Sequence, residues 1–259
     1  MFGLQRWQVE NTVKLIDEGN TIPFIARYRK EAHGTLDDQV LRELSEKLEY
    51  LRNLDKRREE ISASITAQEK MTPEIEAALE KASTLAEIED IYRPFRPKRR
   101  TRASIAKEKG LEPLADAIFA QTADSASPTE LAADYIDAEK GVETVEDAIN
   151  GAMDIIAENI SDDADIRRRL RSLFTVAGVL QSRAADSEKE SVYTMYYEYD
   201  EPVNKIAGHR VLAVNRGENE GFLKVGIDVD RIKALNIINA NVLSDNGSAC
   251  TDTVRDAAA

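Results

Sequence analysis

Apolar residues recur every three or four positions along most of the first two thirds of the chain, with charged residues between them. The longest such run extends from about Asp37 to about Gln68, and its apolar positions are Leu41, Leu44, Leu48, Leu51, Leu54, Ile61 and Ile65. This spacing is that of an amphipathic α-helix with one buried face. At 1.5 Å per residue, the pattern predicts a helix roughly 45 Å long.

Further helices are marked by residues that can satisfy the free backbone N–H groups of a first turn. Threonine or serine stands before proline, or three residues before glutamate, near positions 72, 84 and 127. Such sequences favour a helix start. An apolar face indicates two more helices, beginning near Thr144 and Asp162. We therefore predict a series of helices from about residue 8 to residue 183, with essentially no sheet up to about Gly178.

The pattern changes after about residue 184. Two β-prone runs, VLAVN (211–215) and FLKVGIDV (222–229), flank the glycine-containing stretch 216–221. Runs that meet at such a turn predict a β-hairpin. The final residues, 251–259, begin like a capped helix and stop without a cap. We therefore expect a truncated final helix and a chain that is part of a longer protein.

Composition supports a mainly α fold and sets limits on binding. The 259 residues carry a formal net charge of -13, and only 6% of them are aromatic. An acidic body repels a phosphate backbone, so any nucleic-acid site has to be a local patch. The single cysteine indicates a reducing cytoplasm. No apolar run approaches the length of a membrane-spanning helix, so we expect no membrane contact.

Positive charge is concentrated in residues 93–109, RPFRPKRRTRASIAKEK, which we call the basic segment. It holds eight basic side chains and one acidic side chain, a local charge of +7. Its two prolines stiffen the chain, which lowers the entropy lost on binding a polyanion. The candidate phosphate contacts within it are Arg93, Arg96, Lys98, Arg99, Arg100, Arg102 and Lys107.

A shorter run, which we call the second basic cluster, comprises Arg27, Arg29 and Lys30. It would strengthen a nucleic-acid interpretation if it shared a face with the basic segment. The alternative is structural, since runs of charge are common on protein surfaces. In that case the arginines pair with nearby acids of the same chain or contact another protein. Both interpretations remain open from the residues.

The inventory of catalytic residue types is short. His33 and His209 are the only histidines, and Cys250 has no neighbouring basic residue to lower the pKa of its thiol. The acidic residues 162, 163 and 165 suggest a cation site, but acids at a helix start are also stabilised by the helix dipole. We therefore predict no catalytic residue, no metal site and no cofactor, and expect a protein that is not an enzyme.

Three long segments resemble the bacterial Tex family in the order expected of that family. They are TIPFIARYRKEAHGTLDDQVLRELSEKLEYLRNLDKRREEI (21–61), TLAEIEDIYRPFRPKRRTRASIAKEKGLEPLAD (84–116) and HRVLAVNRGENEGFLKVGID (209–228). The resemblance implies a cytoplasmic, nucleic-acid-associated protein connected with transcription. It also implies a helical N-terminal region with helix-turn-helix-like elements. Family members continue into an RNase H-like domain, helix-hairpin-helix units and an RNA-binding OB-fold domain.

On this basis we expect residues 1–183 to form a helical Tex N-terminal domain. Residues 184–259 are expected to form a small mixed α/β segment, truncated before the RNase H-like domain. The function expected is binding or scaffolding on nucleic acid, without catalysis. The alternative is a protein-interaction scaffold that docks on the transcription machinery or on the domains absent from this chain.

Overall fold

The computed structural model describes residues 3–97 and 99–259 and is mainly α-helical. The chain divides into two compact units, one ending at Tyr92 and the other beginning at Arg93. The described residues form fourteen α-helices and one three-stranded antiparallel sheet. The mainly α prediction is therefore confirmed. The change of character predicted near residue 184 falls inside the second unit.

The first unit is built around its longest helix. The helices found from residue 3 onwards are α1 (Arg6–Asp17), α2 (Ile22–Tyr28), α3 (Lys30–His33), α4 (Asp38–Ala67), α5 (Pro73–Lys81) and α6 (Leu85–Tyr92). Helix α4 is the one predicted from the leucine and isoleucine spacing. It buries Leu41, Leu44, Leu54, Ile61 and Ile65, and α1, α2, α5 and α6 pack against it.

The described residues of the second unit form eight α-helices, which are α7 (Arg102–Glu108), α8 (Glu112–Ala120), α9 (Pro128–Ala132), α10 (Val145–Asp162), α11 (Ala164–Ala177), α12 (Gly208–Asn219), α13 (Arg231–Val242) and α14 (Thr251–Ala257). Helix α10 is its centre, because α7, α8, α9, α11 and α14 all pack against it. The buried side chains of α10 include Ala152, Ile155 and Ile156. Helix α14 confirms the predicted final helix.

The predicted helix starts have the expected caps. Ser127 and Glu130 form a capping box at α9, and Thr144 and Asp147 form one at α10. Hydrogen bonds from the backbone and side chain of Ser127 lower the pKa of Glu130. Each box satisfies N–H groups within four residues of its own helix end, so the local sequence is enough to specify it.

The sheet contains β1 (Val179–Ala184), β2 (Glu198–Pro202) and β3 (Leu223–Asp228), in the order β2-β1-β3. The predicted hairpin is wrong, because β3 pairs with β1, where Ser182 lies opposite Val225. The run VLAVN lies in α12. The prediction of helices up to about residue 183 is also wrong at its end, because α11 ends at Ala177 and β1 begins at Val179.

Tertiary packing explains why VLAVN is helical despite its valines. Val214 and Gly217, three residues apart on α12, are both buried. A side chain at Gly217 would start 2.6 Å from Leu223 Cδ1, so α12 lies directly against β3. The apolar side chain of Leu223 on this face of the sheet is buried because α12 packs over it. Burial of this kind overrides β-propensity.

Candidate nucleic-acid interface

The basic segment begins the second unit and is mostly irregular up to α7. Arg93–Phe95 form one 3₁₀ turn, and among the described residues that follow, the next helix begins at Arg102. Pro94 and Pro97 explain the break, since proline has no N–H to donate to a helical hydrogen bond. Lys98, one of the predicted phosphate contacts, lies outside the described residues.

Three acidic residues of α10 lie against this segment. Asp154, Glu158 and Asp162 are spaced four residues apart and therefore lie along one side of the helix. We call them the acidic row. Arg93 Nε donates to Asp162 Oδ1 at 2.7 Å, and Arg102 Nε lies 3.3 Å from Asp154 Oδ1. The middle member, Glu158, accepts a hydrogen bond through Oε1 from a threonine hydroxyl of the segment at 3.0 Å.

An open cleft of about 530 Å³ lies between the basic segment and α10. The basic segment lines it with Arg93, Arg96, Arg99 and Arg102, and α10 lines it with the acidic row and Ser161. Cations and anions thus face each other across a space that solvent reaches. The arrangement can hold an anionic chain against the arginines only where the acids leave those arginines unoccupied.

The cations of the segment differ in how firmly they are held. Arg93 is the most constrained, because the side chain of its partner Asp162 is only 8% exposed. The side chain of Arg102 is 86% exposed. Arg100 forms a long ion pair of 3.6 Å with Glu108, and both of these side chains are exposed. The Arg100–Glu108 pair is exposed on both sides and contributes little, about 0–1 kcal/mol, whereas Asp154, the partner of Arg102, is partly buried.

Other basic side chains of the segment have different surroundings. Lys107 pairs with Glu112 at 2.8 Å. Arg96 and Arg99 are exposed and form no ion pair with any residue in the described part of the chain. These two arginines are therefore the most available to an external anion.

The second basic cluster lies in the first unit, at the junction of α2 and α3. Arg27, Arg29 and Lys30 are exposed, and none of them forms an ion pair within the described ranges. Arg29 lies over the ring of Phe24, with its guanidinium carbon 5.6 Å from the ring centre. Tyr28, 65% exposed, stands beside Phe24. Exposed aromatic rings among cations suit contact with bases.

Residue types common in catalysis have structural surroundings here. His33 is fully buried, where its Nδ1 accepts from the Leu36 N–H at 3.0 Å and its Nε2 lies 3.2 Å from the Ile25 carbonyl oxygen. Cys250 is also buried, and burial raises the pKa of its thiol. Asp163 accepts from the Ile166 N–H and caps α11, as expected of an acid at a helix start. In the described residues no group of three or more potential metal ligands comes together.

Thr101 connects the segment both to its own helix and to α10. Its hydroxyl accepts from the Ser104 N–H at 3.0 Å, which completes a capping box, and donates to Glu158. We expect Thr101→Val to lower the free energy of unfolding by about 1 kcal/mol, because it removes the cap. Urea denaturation measures this. Thr101→Ser keeps the hydroxyl and should retain most of the stability, whereas an equal loss in both variants would contradict a capping role.

The acidic row was not predicted from the sequence. Its spacing is visible in the sequence, since three acids stand four residues apart, but Asp162 was predicted to begin the next helix and in fact ends α10. The sequence does not show which surface such a row faces. Only the packing of α7 on α10 brings it against the basic segment.

In the described residues, none of the helices is long and apolar enough to cross a membrane.

Comparisons with known proteins give a consistent result. The family described as the Tex-like protein N-terminal domain matches residues 1–66, and the one described as Tex central region-like matches residues 123–257. The chain is 46% identical over 237 residues to an uncharacterized Bacillus subtilis protein, YdcI, covering 90% of this chain and 33% of that protein.

Named relatives are found in other bacteria and in animals. The chain is 43% identical over 232 residues to the protein named tex of Bordetella pertussis, covering 88% of this chain and 29% of the relative. It is 30% identical over 235 residues to human S1 RNA-binding domain-containing protein 1, covering 87% of this chain and 23% of the relative. The chain thus spans about a third or less of the length of these relatives.

Proposed function

This chain belongs to the Tex family, and on that premise we propose that it is a nucleic-acid-associated module of a transcription accessory protein. It acts by binding and scaffolding, without catalysis. A relative in Neisseria gonorrhoeae is named transcriptional accessory protein Tex, and the human relative is named for an RNA-binding domain. We place its action in the cytoplasm, with nucleic acid and the transcription machinery as partners.

The observation that carries the proposal is the pair of exposed arginines at the cleft. Arg96 and Arg99 lie in a segment of local charge +7 on a protein of net charge -13. Each phosphate that such side chains neutralise releases condensed counterions, which outweighs long-range repulsion from the acidic body. Arg100 and Arg102 extend the same surface, because both side chains are largely exposed and their ion pairs are long, at 3.6 and 3.3 Å.

The phosphate contacts we propose are graded by their surroundings. Arg96, Arg99, Arg100 and Arg102 are primary contacts, with Lys98 beside them in sequence. Arg93 and Lys107 are secondary, because each already holds a carboxylate at less than 3 Å. The second basic cluster is a separate candidate contact in the first unit. The helix-turn-helix-like elements that the resemblance implies stay a prediction.

A protein-docking scaffold is the second candidate function. It is favoured by large apolar side chains that the second unit leaves open to solvent. Val192 is 86% exposed, Met195 is 73% exposed and Leu212 is 71% exposed. Isolated surface apolar residues are common, however, whereas segregated positive charge on an acidic protein has a direct electrostatic consequence.

Salt dependence tests the proposal. We expect the protein to bind labelled oligonucleotides at 50 mM salt and to lose roughly 100-fold in affinity by 200 mM, as about four phosphate contacts require. Fluorescence anisotropy with single- and double-stranded probes measures this. A probe with an uncharged methylphosphonate backbone is the control and should not bind. Absence of binding at low salt, with the protein folded, would favour the protein-docking scaffold.

A further inference from the structure

We infer that the acidic row of α10 is an internal competitor for the arginines of the basic segment, which nucleic-acid phosphates must displace. This inference rests on the proposed function and concerns how that same site is regulated. The free protein therefore holds its own nucleic-acid site partly occupied.

The geometry of the row resembles that of the ligand it competes with. Asp154, Glu158 and Asp162 follow one side of α10 at a spacing of roughly 6 Å along the helix axis. They form a line of evenly spaced anions, as successive phosphates along one strand do. All three contact the basic segment, through Arg102, Thr101 and Arg93 respectively.

The row holds its partners with a gradient of strength. At one end, Asp162 is largely buried and binds Arg93 at 2.7 Å. At the other end, Asp154 faces Arg102 at 3.3 Å, where the arginine is almost fully open to solvent. A screened pair of this kind exchanges readily for a phosphate. An entering strand therefore takes over Arg102 first, beside Arg96 and Arg99, which form no ion pair among the residues that the structure describes.

Displacing a carboxylate of the acidic row from its arginine weakens nucleic-acid binding in a second way, besides the loss of the ion pair itself. Once Arg102 turns to a phosphate, the carboxylate of Asp154 is left facing the same open cleft. Like charges across a cleft repel, so the released acid opposes the bound strand. Both effects weaken binding in the native protein, and both disappear when the acids are neutral.

The decisive variant replaces the row with neutral isosteres, Asp154→Asn, Glu158→Gln and Asp162→Asn. We expect it to bind a labelled single-stranded oligonucleotide about tenfold more tightly than the parent at low salt. Structural damage would move affinity in the opposite direction, so the sign of the change is diagnostic. Circular dichroism verifies that the variant is folded.

A matched control removes the same charge elsewhere in the second unit. Glu139→Gln, Glu143→Gln and Glu146→Gln neutralise three exposed acids that do not belong to the cleft lining. If the control gains as much affinity as the row variant, the effect is general electrostatics and the inference is overturned. Asp154→Asn alone, which breaks only the ion pair with Arg102, should tighten binding about two- to threefold. It provides the test if the triple variant does not fold.

The remaining outcomes separate this inference from the proposed function. If the parent binds, and charge reversal at Arg96 and Arg99 abolishes binding while the row variant matches the parent, only the inference fails. If the row variant binds more weakly than the parent, the acids position the arginines, and the inference again fails. If neither parent nor row variant binds at low salt, both proposals fail. Binding by the row variant alone would support competition most strongly.

Discussion

Reversing the charge of three exposed arginines of the basic segment, with Arg96→Glu, Arg99→Glu and Arg100→Glu, should weaken oligonucleotide binding by roughly 10²- to 10³-fold at low salt. Two of these side chains form no ion pair in the described structure, and the third has only a long, exposed one. The variant removes three phosphate contacts and adds three repulsive charges at the same cleft. Fluorescence anisotropy at 50 mM salt measures the change.

A control variant is needed to distinguish the loss of local phosphate contacts from the effect of a more negative net charge on binding. Lys205→Glu, Lys224→Glu and Lys233→Glu change the charge of the second unit by the same amount at three exposed positions outside the cleft. This control should lose much less affinity than the arginine variant. Equal losses would show that binding follows total charge, and the basic segment would then not be the contact surface.

Shortening a buried side chain on α10, the central helix of the second unit, should have the largest effect on the free energy of unfolding. Ile156 is fully buried on α10, in a cluster that includes Leu111 and Leu114. We expect Ile156→Ala to lower the free energy of unfolding by about 3 kcal/mol, since it removes buried carbon atoms and leaves a cavity. The change is measured as a shift of the urea midpoint followed by circular dichroism.

An exposed isoleucine of the same unit provides the comparison. Ile136 is 46% exposed, so Ile136→Ala leaves no closed cavity and should cost less than about 1 kcal/mol. Similar midpoints for the two variants would contradict the central role of α10. That role matters for the site, because α10 carries the acidic row and supports α7.

The arginines show how far the sequence reached toward the candidate site. Their density between residues 93 and 102 is plain in the sequence, and so are the prolines that keep them out of a helix. Their individual availability is not. Arg93 and Arg96 are three residues apart and chemically identical, yet one is held by Asp162 and the other has no ion pair in the described ranges. A partner 69 residues away along the chain makes that difference.

The sheet shows the same division between local and distant information. The run FLKVGIDV was predicted as a strand, and β3 confirms that prediction. Its partner was predicted to be the nearest β-prone run, VLAVN, but the structure pairs it with β1 and makes VLAVN part of α12. Propensity describes one residue at a time, whereas pairing depends on which surfaces have to be covered.

Local sequence patterns were enough to predict the long helix α4, the capped starts of α5, α9 and α10, the mainly α class and the position of the basic segment. These features depend on hydrogen bonds within one turn, on the period of apolar residues and on net local charge, all of which lie within a few neighbouring positions. The strand order, the helical state of VLAVN and the position of the acidic row beside the arginines became visible only in the folded protein. Each of these depends on contacts between distant segments, whose free energy comes from burial and charge pairing that a linear sequence does not display.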